Sequence, residues 1–203
     1  MNGAAPFPDE GRPRSSVAGR SGLNTERFKL VMRNIASSVA VIAVEHEGRK
    51  HGMTATAVCS VSASPPTILI VVNRSARTHP IISEAKRFTV NILAVHQAEL
   101  ASRFSGKHPD PFEGVRHRSG IYGGPVLEGA AAYVECETQQ EMQAGTHTIF
   151  IGAVTGGEAT KSPPLLYHEG EYKSLFGRAS KVKGLPGKGE AAHEFEQAKR
   201  ESK

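Results

Sequence analysis

Apolar positions recur along this chain with two periods, and the change of period marks its elements. Phe28, Val31, Met32 and Ile35 stand at i, i+3, i+4 and i+7, one face of a helix. Asn24 or Thr25 caps it, and Glu26 suits its first turn. That face is expected to pack on a sheet or plug the end of a barrel. Ser38 to Glu45 is a β-branched strand, Glu47 to Lys50 a hairpin turn, and His51 to Ser60 the returning strand. Pro65-Pro66 ends it, and Thr67 to Asn73 reads as a buried strand. Thr78 is expected to cap a short helix with Pro80 in its first turn, where the missing N–H costs nothing. Arg87 to Ala94 is a strand. Val95 to Phe104 is helical, with Ala98, Ala101 and Phe104 on one face and Gly106 as its stop. Residues 105–129 form a Gly/Pro/His-rich loop, of a length that is often functional. Ala132, Val134 and Cys136 alternate with Tyr133, Glu135 and Glu137, a strand with one exposed face. His147 to Val154 and Leu165 to Leu175 follow, the last broken near Glu169-Gly170. Six or seven strands without full crossover helices predict a mainly β fold with a few short helices, a closed antiparallel barrel.

The ends follow neither period. Residues 1–23 are poor in large apolar side chains and are expected to be a disordered tail. Residues 177–203 read as a polar, flexible tail with a short helix from Ala191 to Arg200. One domain is left between them, 24–176. The formal charge of +5 belongs mostly to the tails: +1 in 1–23 and +3 in 177–203, against +1 in the body. A basic nucleic-acid groove would put that excess on the folded part. No run reaches the roughly 18 apolar residues of a spanning helix, and the N-terminus lacks a signal-peptide apolar core. Two cysteines, Cys59 and Cys136, suggest neither a disulfide framework nor a zinc site. The expectation is a cytoplasmic protein without nucleic-acid or membrane partners.

Several chemistries lack their residues. There is no Walker A sequence, no GxGxxG after a strand, no HExxH pair among the nine His, and no GxSxG elbow. Three stretches remain. Asn73-Arg74-Ser75-Ala76-Arg77-Thr78 gathers hydroxyls, two guanidiniums and a helix start, which suits either a phosphate or an ordinary capped loop. Thr54, Thr56, Ser60 and Ser62 fall on one face by alternation, either the donor-rich wall of a ligand or the polar outside of a barrel. His147, after Gly145-Thr146, either stands over a bound ring or covers a strand edge.

The order and spacing of these stretches resembles the short-chain flavin reductases, the reductase components of two-component flavin-dependent monooxygenases. The matching segments lie within residues 28–176: the Met32 helix, Gly52 to Thr56, Ser64-Pro65-Pro66, Asn73 to His79, Phe88 to Leu93, Arg103-Phe104, Gly124 to Leu127, Gly145 to His147 with Ile151-Gly152, and Pro164 to Tyr167 through Gly170 to Tyr172. The resemblance implies an FMN-binding split β-barrel, a homodimer, and NADH or NADPH as the donor that reduces FMN or FAD for a partner oxygenase. By the same resemblance, Met53, Thr54, Ala55, Thr56 and Ser60 would line the ring and ribityl chain. Asn73, Arg74, Ser75 and Thr78 would hold the phosphate, Val90 and Asn91 would touch the ring edge, and Arg103 and Phe104 would lie on the phosphate or adenosine side. His147 would meet the nicotinamide and Tyr172 would stand near the ring. No metal is implied. Thr146 departs from the family's frequent Gly-Asp-His, and Ser37-Ser38 from its frequent Thr-Gly. Two other functions stay open: a flavin sensor or carrier without turnover, and a B6-oxidase-like or haem-related barrel with another chromophore.

Overall fold

A computed structural model describes residues 23–106, 108–122 and 124–175. The predicted tails, with the helix at 191–200, lie outside them. In chain order the elements are α1 (Thr25–Met32), β1 (Ser37–Ser38), β2 (Ala40–His46), β3 (Arg49–Ala55), β4 (Val58–Ala63), β5 (Pro66–Asn73), α2 (Thr78–Ala85), β6 (Arg87–Ile92), a 3-10 turn (Val95–Gln97), α3 (Ala98–Ser105), β7 (His117–Ser119), β8 (Pro125–Leu127), β9 (Ala132–Ala144), β10 (His147–Ala159), β11 (Leu166–His168) and β12 (Glu171–Lys173).

One antiparallel sheet of seven strands, in the order β3-β2-β6-β9-β10-β5-β4, carries the fold. Its two edges, β3 and β4, are consecutive in the chain, separated by Thr56 and Ala57 alone. Three Cα steps span at most about 11 Å, so the sheet must curl until its edges meet at that corner. This corrects the single strand expected from His51 to Ser60, because the chain leaves one edge there and starts the other. The turns obey local chemistry. Glu47 (φ 50°) and Gly48 (φ 73°) make a two-residue β2–β3 loop with both φ positive, as a right-twisted hairpin prefers.

β2 is buried on both faces, which is why AVIAV carries no polar position. Its inner face joins Ile70, Val72, Phe88, Val90, Cys136 and Phe150, and α2 closes this interior with Ile82. Burial pushes the Cys136 thiol up to about 12, so it is a neutral core group. Val39, Val41 and Ala43 on the outer face pack with Leu93, Phe104, Phe112, Leu127 and Leu165 in a second core under α3.

Several expectations are revised. Arg77, not Thr78, is the N-cap of α2, and Thr78 sits inside the first turn, 1 % exposed. The Val95–Phe104 helix begins as a 3-10 turn. The long loop holds the β7–β8 hairpin. Glu135 is buried, not solvent-facing, because Gly120 packs directly on its carboxylate. The apolar face of α1 covers nothing: Phe28, Val31, Met32 and Ile35 are 53, 58, 44 and 54 % exposed.

Candidate functional site

Three of the predicted stretches meet at one end of the curled sheet. At the corner, Ala57 O accepts from Val71 N at 3.1 Å. Asn73 lies two residues further along β5, about 7 Å at the rise of a strand. Beyond it, Arg74 N donates to Thr146 O at 3.0 Å, and His147 pairs with Asn73 across the β10–β5 ladder. The Thr56–Ala57 corner, the Asn73–Thr78 loop and the Gly145–His147 turn are therefore neighbours by backbone pairing, although 90 residues separate the first from the last.

Each is built for its position. Asn73 Oδ1 accepts from Ser75 N at 2.9 Å and from Ser75 Oγ at 2.8 Å, which folds the loop back before α2. At the start of α2, His79 N donates to Ala76 O at 3.0 Å and Pro80 has no N–H, which leaves Thr78 N as the opening amide that suits an anion. Arg74 is exposed in the same loop, whereas the Thr78 side chain turns inward and its hydroxyl meets His51 Nδ1 at 2.8 Å. Burial, then the nearby Arg77 charge, hold the His51 pKa below its usual value. Gly145 has φ 59° as the first residue of the two-residue β9–β10 loop, a place that favours glycine. Thr146 Oγ1 lies 2.9 Å from His147 Nδ1 and orients the ring where an acidic neighbour is lacking.

Thr56 and Ala57 also form one wall of a groove of about 450 Å³, whose other walls are Phe28, Met32 and Ile35 with Ser37 and Tyr167. An apolar wall facing two hydroxyls matches what a flat, polar-edged ring needs. Sequence reading missed Ser37, Ala57 and Tyr167; the short link at Thr56–Ala57 was a signal, but only the sheet order makes it a corner.

Other predicted contacts fall elsewhere. Val90 is fully buried between Ile42 and Val134. Asn91 is also fully buried; it accepts from Leu127 N at 2.8 Å and donates to Pro125 O at 3.1 Å, so it ties down β8. Phe104 fills the second core over Gly52, where a Cβ would lie 2.8 Å from its ring. Arg103 holds the loop beyond α3 through Pro111 O at 2.9 Å and Glu113 O at 2.6 Å. The alternation expected of Thr54, Thr56, Ser60 and Ser62 fails. Thr54 Oγ1 donates to Ala101 O at 2.6 Å on the α3 side, and a register shift separates Ser60 from Ser62, both exposed on β4. Met53 and Ala55 pack half-buried on the interior core. Tyr172 leans on the second core, edge-on to Tyr167 at 5.7 Å.

Residues 32–175 match the flavin reductase like domain. The chain belongs to that family. It is 36% identical over 152 residues to the reductase component of a 4-nitrophenol 4-monooxygenase/4-nitrocatechol 2-monooxygenase of Rhodococcus opacus, covering 74% of this chain and 80% of that protein. To an FMN reductase (NADH), RutF, of Stutzerimonas stutzeri it is 37% identical over 153 residues, covering 74% and 88%. The fold superposes on flavin reductase PheA2 with TM-score 0.72 at 36% identity, covering 76% of this chain and 99% of that one. The NADH:FAD oxidoreductase SgcE6 of Streptomyces globisporus C-1027, solved with NAD and FAD fragments, gives 0.73 at 29% identity, covering 78% and 96%. Among the described residues no helix is long and apolar enough to cross a membrane, and no group of three His, Cys, Asp or Glu is arranged for a metal.

Proposed function

We propose that this chain is an NAD(P)H:flavin oxidoreductase that supplies reduced FMN or FAD to a partner monooxygenase. The observation that carries this reading is the meeting of the Thr56–Ala57 corner, the Asn73–Thr78 loop and the Gly145–His147 turn at one end of the sheet. Relatives that reduce flavin, some of them as monooxygenase components, support it. When bound, the two cofactors supply the chemistry, a hydride from nicotinamide C4 to flavin N5.

The chain's own residues bind, align and exclude water. Ser37 and Thr56 offer hydroxyls to the ring's polar edge, and Tyr167 with the α1 side chains forms its apolar wall. Arg74 and the Thr78 amide hold the flavin phosphate, with Asn73 and Ser75 shaping the loop. His147, oriented by Thr146, faces the nicotinamide. The groove is walled on one side only by an exposed helix. This supports a homodimer in which the apolar face of α1 meets a second copy.

A visible spectrum of the purified protein loaded with FMN or FAD, followed by anaerobic NADH and then NADPH, tests the function. Bleaching of the flavin bands with turnover is expected. Bound flavin that neither donor bleaches would make the chain a carrier or sensor; a different chromophore would move it to another class of barrel.

A further inference from the structure

The Asn73–Thr78 loop is tied near both of its ends to one short piece of β10. At its first end Arg74 N donates to Thr146 O at 3.0 Å. Just past its far end His79, in the first turn of α2, holds Nε2 2.8 Å from Thr148 Oγ1. The two anchor points, Thr146 and Thr148, flank His147.

The far tie is built as a fixed strut. Thr148 is 4 % exposed, so its hydroxyl needs a partner inside the protein, and the His79 ring supplies it. That ring stands edge-on to Phe150, with centroids 5.5 Å apart, and Phe150 is fully buried in the interior core. Thr148 and Phe150 share the inner face of β10, and alternation turns His147 to the other face. His79 N donates to Ala76 O at 3.0 Å, which joins the strut to the loop through the backbone. Thr78, one residue earlier, is held from β3 by His51 Nδ1 at 2.8 Å. An apolar side chain at position 79 would pack on Phe150 as well. What the imidazole adds is a directed bond to the strand that carries His147. A loop tied at one end pivots about it, whereas one tied at both ends keeps its distance from the strand.

We propose that His79 and Thr148 are positioning residues for hydride transfer: their bond fixes the spacing between the phosphate loop and His147, and through it the alignment of the flavin and nicotinamide rings. The step they serve rests on the flavin reductase reading; the tie between loop and strand does not.

The test compares Thr148→Val, which keeps the shape of the side chain and removes its hydroxyl, with Thr148→Ser, which keeps the hydroxyl. His79→Leu removes the bond from the other side and carries the test if Thr148→Val does not fold. Stopped-flow bleaching of bound FMN by NADH, the NADH Michaelis constant, FMN affinity and the unfolding midpoint are measured on each. Hydrogen exchange over residues 73–79, with and without FMN, is read by mass spectrometry. Thr148→Val is expected to slow hydride transfer by about tenfold, the scale of a misplaced reactant. Its NADH constant and FMN affinity should stay within about threefold, the split expected when alignment alone is lost. Exchange over 73–79 should rise in Thr148→Val and stay at the wild-type level in Thr148→Ser, which should also keep the wild-type rate. The His79→Leu/Thr148→Val double variant should be no slower than the slower single one, because both remove the same bond. Rate and exchange at wild-type levels in Thr148→Val overturn the proposal and leave the pair as core packing. A rate that falls equally in Thr148→Ser, or only in step with the unfolding midpoint, overturns it as well. Flavin that NADH does not bleach in wild type, with raised exchange in Thr148→Val, upholds the tie and overturns the reductase reading. Bleached flavin with rate and exchange unchanged in Thr148→Val does the reverse.

Discussion

At the scale of single residues, the site separates side chains that shape it from side chains that touch a ligand. Ser75 Oγ is spent on Asn73, so it contributes through the loop's form, whereas Arg74 is exposed and uncommitted to an acid among the described residues. Arg74→Ala is therefore expected to weaken FMN by about tenfold or more, the roughly 1.5–3 kcal/mol of a charge-assisted bond. Riboflavin, which lacks the phosphate, should be nearly unaffected. Fluorescence titration of both ligands measures this, and equal weakening would remove the phosphate from the loop. His147→Ala should raise the NADH Michaelis constant and lower turnover moderately, with flavin affinity unchanged, because alignment and not proton transfer is lost. Steady-state constants equal to wild type would leave His147 as a covered strand edge.

At the scale of elements, stability and site are joined through α3. Phe104 fills the second core and lies over Gly52 on β3, the strand that leads into the Thr56–Ala57 corner. Phe104→Ala should cost about 3–5 kcal/mol, as for other large aromatic truncations. Denaturant unfolding reads it directly. An unchanged midpoint would show that the ring is not a core residue and would restore its assignment beside a ligand. The motif of Arg103 and Phe104 placed them on the phosphate or adenosine side. Their partners, Pro111 O, Glu113 O and the β2 side chains, make them a brace.

At the scale of the whole molecule, α1 is the unresolved account: an apolar stripe with no buried residue. A contiguous exposed patch of this kind suits an interface. Light scattering at micromolar concentration should give a dimer, and Val31→Glu should shift it toward monomer while loosening flavin, because the same helix walls the groove. A wild-type chain that stays monomeric with flavin bound would reject that interface. A chain trimmed to residues 24–176 should keep NADH oxidation within about twofold, since the family match lies inside it and no contact assigned above reaches beyond it. Large loss of turnover with folding intact would give the ends a part in the site.

Local sequence suffices for most of the strands, the Glu47-Gly48 turn, a helix cap at Asn24 or Thr25 and the neighbourhood of the phosphate loop. These rest on period, φ preference and hydrogen bonds within a few residues, which a linear reading captures. It also carried the family. Which faces are in use is settled by contacts between distant segments. Asn91, Glu135 and Thr54 are polar in the chain yet buried or turned aside, because Pro125, Gly120 and Ala101 arrive from distant segments to meet them. Phe28, Val31, Met32 and Ile35 are apolar yet exposed, because nothing in the described chain covers them. The corner at Thr56–Ala57 arises from a sheet whose first and last strands are sequence neighbours. Long-range pairing closes it, and no local preference encodes that pairing.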